Sequence, residues 1–134
     1  AVMPTAAPPQ RLADRYAAAV HGVDRELGRL LDALPEGTLV IVTADHGEEL
    51  DEKRLRPPGT PADARHGHTL HEELLRVPLI AAGGRLKPKV VREPVSLLDV
   101  VPTLLHVVGA RVDPTLEGRV LPGFPGGANR DVPV

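Results

Sequence analysis

The sequence predicts an α/β fold in which helices flank part of a mostly parallel sheet. A long amphipathic pattern over residues 11–34 precedes an apolar run over residues 38–43, and a second short apolar run covers residues 77–82. Apolar, β-branched residues without polar alternation are typical of strands that are covered on both faces, as in parallel sheets. A long helix followed by such a strand forms the second half of a βαβ unit.

The first helix is predicted from one continuous apolar stripe. Apolar side chains recur three or four positions apart, a spacing that brings them to one helix face; they are Leu12, Tyr16, Val20, Val23, Leu27, Leu30 and Leu34. Gly22 weakens the middle of this helix by up to about 1 kcal/mol relative to alanine. Pro35 and Gly37 end the helix and turn the chain into the first strand.

Two shorter helices are expected further along the chain. One covers residues 70–75, just before the second strand. The other covers residues 98–108 and has Pro102 in its first turn, where a proline is tolerated because that N–H has no partner within the helix. Asp99 is expected to cap this helix by accepting bonds from free amide groups, and Gly109 is expected to end it.

The remaining segments are predicted to be irregular. Residues 1–10 form a proline-rich, extended lead-in, and residues 48–65 form a polar surface loop in which several prolines oppose regular structure. Residues 11–121 are expected to form a single domain, followed by an irregular tail at residues 122–134.

Composition excludes several classes of function. The 134 residues carry a net charge of −2, no cysteine, no tryptophan, one tyrosine and one phenylalanine. Nucleic-acid binding is disfavoured because there is neither a basic surface nor a set of aromatic residues for stacking. Disulfides and thiolate metal sites are excluded. No apolar segment is long enough to span a membrane and no signal peptide is recognisable. The compartment stays open between periplasmic or extracellular and cytoplasmic, in a bacterium.

The most informative local feature follows the first strand. Asp45 and His46 come where the strand ends, and ligands of parallel sheets gather at the carboxyl ends of strands. One carboxylate and one imidazole are suitable ligands for a divalent metal, and Gly47 lets the backbone turn away without a side chain. The alternative is that Asp45 only caps a turn or the next helix.

Three segments in order resemble the C-terminal part of the sulfatase family, within the alkaline-phosphatase superfamily. They are T-A-D-H-G-E at residues 43–48, R-H-G-H-T-L-H-E-E-L-L-R-V-P-L-I at residues 65–80 and V-S-L-L-D-V-V-P-T-L-L at residues 95–105. The family often has T-x-D-H-G-E, then G-[HK]-G-x-T-L-Y-E-E-x-x-R-V-P-L, then V-S-x-x-D-x-x-P-T-L-L. The resemblance covers most of the chain.

The resemblance implies roles for individual residues. Asp45 and His46 match one pair of the family's metal ligands, with calcium expected first and manganese or zinc as alternatives. His66 matches the residue that contacts sulfuryl or phosphoryl oxygens and assists the leaving group, and His68 is a rival for that role because it lies two positions away. Apart from the resemblance, Glu48 and Glu49 are expected to form a solvated turn, with orientation of a metal ligand as the alternative for Glu48. His71 is expected to pack as a polar-tipped helix residue.

Two departures from the family pattern limit what this chain is expected to do alone. His71 occupies the position of the family's tyrosine. No segment resembles [CS]-x-P-[SA]-R, in which the family's nucleophile matures to formylglycine. The leading hypothesis is therefore a fragment of a metal-dependent sulfuric ester hydrolase, inactive alone, which acts on a small sulfate or phosphate ester together with a missing N-terminal half.

Two other hypotheses stay open. In the first, the chain belongs to a phosphodiesterase or phosphotransferase of the same superfamily, which uses a serine or threonine nucleophile. Alternatively, it is a non-catalytic α/β module for binding or assembly, because a truncated sheet exposes apolar edges and faces. Such a module is expected to form homo-oligomers or to bind the missing half.

Overall fold

The computed structural model describes residues 12–50, 59 and 65–127. The lead-in at residues 1–10, most of the loop at 48–65 and the end of the tail at 128–134 lie outside the described residues. The elements, in chain order, are α1 (Leu12–Ala33), β1 (Val40–Thr43), α2 (Glu72–Leu75), β2 (Leu79–Ala82), a 3₁₀ turn (Leu97–Asp99) and α3 (Val100–Val107).

The connection between α1 and β1 is a tight turn, as predicted. Leu34 N–H donates to the carbonyl of Leu31 at the helix end, and both the amide and the hydroxyl of Thr38 donate to the carbonyl of Pro35, at 3.2 and 2.7 Å. Gly37 has a φ of 79°. That left-handed conformation favours glycine over other residues, so the turn that delivers the chain into β1 depends on it.

The two strands pair in one small sheet, and their pairing is antiparallel. The hydroxyl of Thr43, the last residue of β1, donates to the carbonyl of Pro78, just before β2, at 2.8 Å. The mixed α/β class is confirmed, but the expectation that residues 77–82 form a further parallel strand is not met by this pair. The apolar composition of both runs indicated strands without indicating their direction.

Apolar surface is less covered than the sequence suggested. Among the described residues, no residue of α1 is buried, and Val23 is 68% exposed. Residues of β1 are at most half-buried rather than enclosed on both faces. The buried apolar side chains of the described residues are Leu74, Leu121 and Phe124. With one phenylalanine and one tyrosine in the chain, the sequence led us to expect a core of valine, leucine, isoleucine and alanine. That expectation was wrong, because the single phenylalanine is one of the buried residues.

The chain divides into two compact units, Ala1–Ile80 and Ala81–Val134. The second unit contains the 3₁₀ turn and α3. Ser96 begins the turn with a capping box, in which its hydroxyl accepts from Leu98 N–H and the Asp99 carboxylate accepts from Ser96 N–H at 2.9 Å. Asp99 therefore caps the turn that leads into α3, although its side chain makes no cap bond of α3 itself.

Two buried polar side chains attach the following segment to the start of α3. The second oxygen of the Asp99 carboxylate accepts from Arg119 N–H at 2.9 Å. The hydroxyl of Thr103, which is fully buried, donates to the Asp99 carbonyl at 2.6 Å and accepts from Leu121 N–H at 2.8 Å. Because Leu121 is itself buried, this hydroxyl joins the helix to the apolar core of the second unit.

Within residues 12–50, 59 and 65–127, no helix combines the length and the apolar character that crossing a lipid bilayer demands.

Replacing Thr103 tests this second unit. Thr103→Val removes the hydroxyl and leaves Leu121 N–H buried without its acceptor, so we expect the free energy of unfolding to fall by about 1–3 kcal/mol. Urea denaturation followed by circular dichroism measures the change. Thr103→Ser keeps the hydroxyl and should lose clearly less; equal losses in both variants would contradict the role given to these two hydrogen bonds.

Candidate metal and oxyanion site

The Asp-His-Gly segment lies against α2 through a close backbone approach. Gly47 N–H donates to the carbonyl of Leu74 at 2.8 Å. A Cβ atom at Gly47 would collide with the carbonyl of Glu73, which is backbone and cannot swing away. Glycine is therefore needed here for space, in addition to the turn that the sequence predicted. The contact brings the loop after β1 beside the loop that precedes α2.

Asp45 and His46 present one oxygen and one nitrogen at the end of β1. The Asp45 side chain is 90% exposed, and its Oδ1 accepts from the backbone N–H of His46 at 3.0 Å. His46 Nε2 lies 3.9 Å from that same Oδ1. Metal–ligand distances are about 2.0–2.6 Å, so a separation of this size lets both atoms contact a single divalent cation.

The orientation of the His46 ring is fixed by its other nitrogen. Nδ1 lies 2.8 Å from the carbonyl of Gly47. A carbonyl only accepts, so Nδ1 carries the proton and the lone pair of the neutral ring is on Nε2. Metal-binding histidines commonly hold their second nitrogen in this way. The sequence offered no signal for this bond, because it depends on the conformation of the turn.

The same environment favours the protonated ring. The hydrogen bond to the Gly47 carbonyl is the largest influence on the pKa of His46 and raises it above its ordinary value. Desolvation opposes this effect, and the negative charges of Asp45 and Glu48, which act less strongly, raise the pKa further. A cation at Nε2 would therefore compete with a proton for that lone pair.

His66 lies beside His46. The centroids of the two imidazole rings are 4.3 Å apart and their planes are inclined by 33°. His66 Nδ1 is 3.2 Å from the Glu48 carboxylate, which holds the ring from one side. The Glu48 carboxylate therefore orients the ring of His66. It does not orient Asp45 or His46, the two predicted metal ligands. Three of the four predicted site residues, Asp45, His46 and His66, come together.

His68 is placed differently. Its side chain is only 9% exposed, and its Nε2 lies 2.9 Å from Oε2 of Glu49, whose side chain is 1% exposed. Its Nδ1 is 3.1 Å from the carbonyl of His66. Glu49 was expected to belong to a solvated turn. Its burial was not foreseeable from the local sequence, because its partner comes from a different loop.

A second group of possible ligands surrounds Glu49. Ligand atoms of Glu49, His71 and Glu73 all lie within 4.8 Å of one another. His71 Nδ1 is 3.9 Å from Oε1 of Glu49, too far for a hydrogen bond, and this nitrogen is buried without a hydrogen-bond partner in the described part of the chain. His71 was expected to pack as a polar-tipped helix residue. The signal in the sequence for a special role of His71 was that it occupies the position of the family's tyrosine.

The close approach at Gly47 yields one prediction. Gly47→Ala places a methyl group on the Glu73 carbonyl, so the loop after β1 must move away from α2 and the protein should be less stable. Thermal unfolding measures the loss. Gly22→Ala is the matched control, because its Cβ meets nothing within 4 Å among the described residues and alanine favours a helix by up to about 1 kcal/mol. Equal behaviour of the two variants would contradict the contact.

The charge environment of His46 yields a second prediction. We expect its pKa, measured from the NMR shifts of the ring protons, to lie above the ordinary value of about 6.5. Glu48→Gln removes a negative charge that favours the imidazolium, so the pKa should fall. Glu26→Gln, on α1, is the control and should leave it unchanged. A wild-type value below 6.5 would refute the assignment of the Gly47 bond.

The comparisons with known proteins agree with the motifs. The sequence model of the Sulfatase family matches residues 2–110. A sulfatase of Formosa agariphila is 36% identical over 118 residues, which are 84% of this chain and 22% of that protein. The steryl-sulfatase of Mus musculus is 38% identical over 129 residues, 86% of this chain and 21% of that protein.

A different enzyme of the superfamily is also similar. A 2,3-bisphosphoglycerate-independent phosphoglycerate mutase of Rhodopirellula baltica is 37% identical over 106 residues, 77% of this chain and 18% of that protein. The chain thus spans about a fifth of the length of the curated relatives it matches. No solved structure matches it. The motifs and the match over most of the chain together establish that this chain belongs to the sulfatase family, within the alkaline-phosphatase superfamily.

Proposed function

We propose that the chain contributes part of the active site of a metal-dependent sulfuric ester hydrolase. In this proposal Asp45 and His46 bind the divalent cation, and His66 contacts the oxygens of the sulfate ester, with His68 as the alternative. The orientation of the His46 ring is the observation that most directly supports this proposal. Its Nδ1 is held by the Gly47 carbonyl, which leaves Nε2 for a ligand 3.9 Å from the Asp45 carboxylate.

The donor set suits a divalent cation. Asp45 offers an exposed carboxylate, and the negative charge of Glu48 nearby adds to the attraction for a cation. One oxygen and one nitrogen fit calcium, manganese or zinc, with the imidazole favouring the transition metals. The cation would neutralise the negative oxygens that shield the sulfur atom from attack. Further ligands and the nucleophile are proposed to come from other parts of a longer protein.

His66 is suited to the developing charge on the leaving group. Its Nδ1 faces the Glu48 carboxylate at 3.2 Å, so the ring is oriented by one nitrogen and offers the other. When the sulfur–oxygen bond breaks, the departing oxygen gains negative charge, and a ring N–H can donate a proton to it. The 4.3 Å between the His46 and His66 rings would keep this donor beside the metal ligands.

A longer protein is consistent with the exposed apolar surface. Leu70 is 81% exposed and Val20, on the α1 stripe, is 50% exposed. Large exposed apolar areas commonly mark contacts with other parts of a protein or with partners. We therefore propose that these faces are covered by the remaining part of the catalytic domain. A stand-alone module that self-associates is the alternative, and sedimentation at several concentrations separates the two.

Phosphate esters are the second candidate substrates. The similarity to a phosphoglycerate mutase supports a phosphoryl-transfer enzyme that uses the same Asp-His pair. Sulfuryl and phosphoryl groups both present negative tetrahedral oxygens, so the residues described here fit either one. Assays of the longer protein with matched sulfate and phosphate monoesters of one alcohol would distinguish them.

Metal binding is the first test of the proposal. We expect calcium, manganese or zinc, added in turn at millimolar concentration, to raise the melting temperature of the wild-type chain. A concentration a hundredfold above Kd would add about 2.7 kcal/mol to the free energy of unfolding. Asp45→Ala and His46→Ala should lose this shift.

The matched control for metal binding is His71→Gln. It removes the histidine from the Glu49, His71 and Glu73 group and leaves Asp45 and His46 intact, so the shift should persist. If His71→Gln abolishes the shift while Asp45→Ala keeps it, the cation is bound by the second group and the proposed assignment is wrong. No shift with any metal would also count against it.

A further inference from the structure

We propose that the buried Glu49–His68 pair is a positioning device that holds His66 beside His46. This inference rests on the proposed function, in which His66 contacts the substrate oxygens. In this proposal, neither Glu49 nor His68 contacts the substrate or the metal. Their effect passes through the backbone of His66.

Both nitrogens of the His68 ring face hydrogen-bonding groups of the protein. Nδ1 faces the carbonyl of His66 at 3.1 Å, and a carbonyl can only accept, so Nδ1 carries a proton. Nε2 faces the Glu49 carboxylate at 2.9 Å, and one proton lies between these two groups. Both nitrogens are therefore engaged within the protein, which leaves the contact with a substrate to His66.

Both side chains of the Glu49–His68 pair are buried. Side-chain exposure is 9% for His68 and 1% for Glu49. Pairing stabilises the ring and the carboxylate in this environment, because an isolated charge out of water is unfavourable. The pair has no net charge whichever partner holds the shared proton. Glu49 therefore keeps His68 in place, and His68 in turn holds the His66 carbonyl.

The two loops remain connected without the Glu49–His68 pair. Glu49 N–H donates to the Arg65 carbonyl at 2.9 Å, and Gly47 N–H donates to the Leu74 carbonyl at 2.8 Å. These backbone bonds do not involve the side chain of His68. Loss of the pair should consequently shift the backbone at His66 and its ring while the surrounding fold persists.

NMR of the metal-free chain tests the inference with His68→Gln. Glutamine keeps a donor at the ε position for Glu49 but has none for the His66 carbonyl. In the wild type we expect a nuclear Overhauser cross-peak between ring protons of His46 and His66, since their centroids are 4.3 Å apart. His68→Gln should lose this cross-peak while its amide spectrum stays dispersed.

The control is His71→Gln, the same substitution at the other histidine beside Glu49. It should keep the cross-peak, because His71 Nδ1 lies 3.9 Å from the Glu49 carboxylate and has no hydrogen-bond partner among the described residues. Retention of the cross-peak in both variants would overturn the inference. So would its loss in both, since that outcome means a general loosening of the loops.

A measurement on the unchanged protein covers the case in which His68→Gln does not fold. The Nδ1–H proton of wild-type His68, which faces the His66 carbonyl, should appear in a ¹⁵N-edited spectrum, protected from exchange with water. Rapid exchange of the Nδ1 proton would overturn the inference.

Binding of inorganic sulfate in the presence of metal connects the pair to function. His68→Gln should weaken sulfate binding by about tenfold or more, because displacements on the order of 1 Å at a positioned group have large effects, while metal affinity stays unchanged. If His68→Gln loses the cross-peak but no protein binds metal or sulfate, the positioning role stands and the proposed function fails.

Discussion

The candidate site depends on the absence of a side chain at Gly47. The backbone there approaches α2 so closely that a single methyl group would strike the Glu73 carbonyl. Through this contact the loop after β1, with Asp45 and His46, meets the loop before α2, with His66 and His68. The two loops are separated in sequence, and the contacts of His66 with His46 and Glu48 and of His68 with Glu49 follow from their meeting.

Once the loops meet, their polar side chains arrange in two layers. The outer layer is exposed and contains Asp45, His46 and His66, with Glu48 at its margin. The inner layer is the buried Glu49–His68 pair. An exposed imidazole alone would sample many orientations, and each ordered side chain costs conformational entropy. In the proposed arrangement the inner pair bears part of that cost, because its bonds are made within the protein and hold the backbone of His66 before any ligand arrives.

The sequence was informative where the interactions are local. The α1 stripe predicted a helix over residues 11–34, and the structure has it over Leu12–Ala33, because helical periodicity is a property of neighbouring residues. Asp45 and His46 were predicted as ligands because a strand end and a turn glycine are encoded side by side, and their binding of a metal stays a prediction. The antiparallel pairing of β1 with β2 was not predictable, since an apolar run does not indicate which strand it pairs with or in which direction. Glu49 was misjudged for a similar reason: its partner comes from 19 residues away.

The backbone bond between Glu49 and Arg65 has a consequence for the length of the chain between them. It brings together the two ends of the segment formed by residues 50–64. The entropy of closing a loop grows only slowly with its length, by about 0.6 kcal/mol for each doubling. Insertions or deletions between these anchor points would therefore change the entropy of closing this segment only slightly.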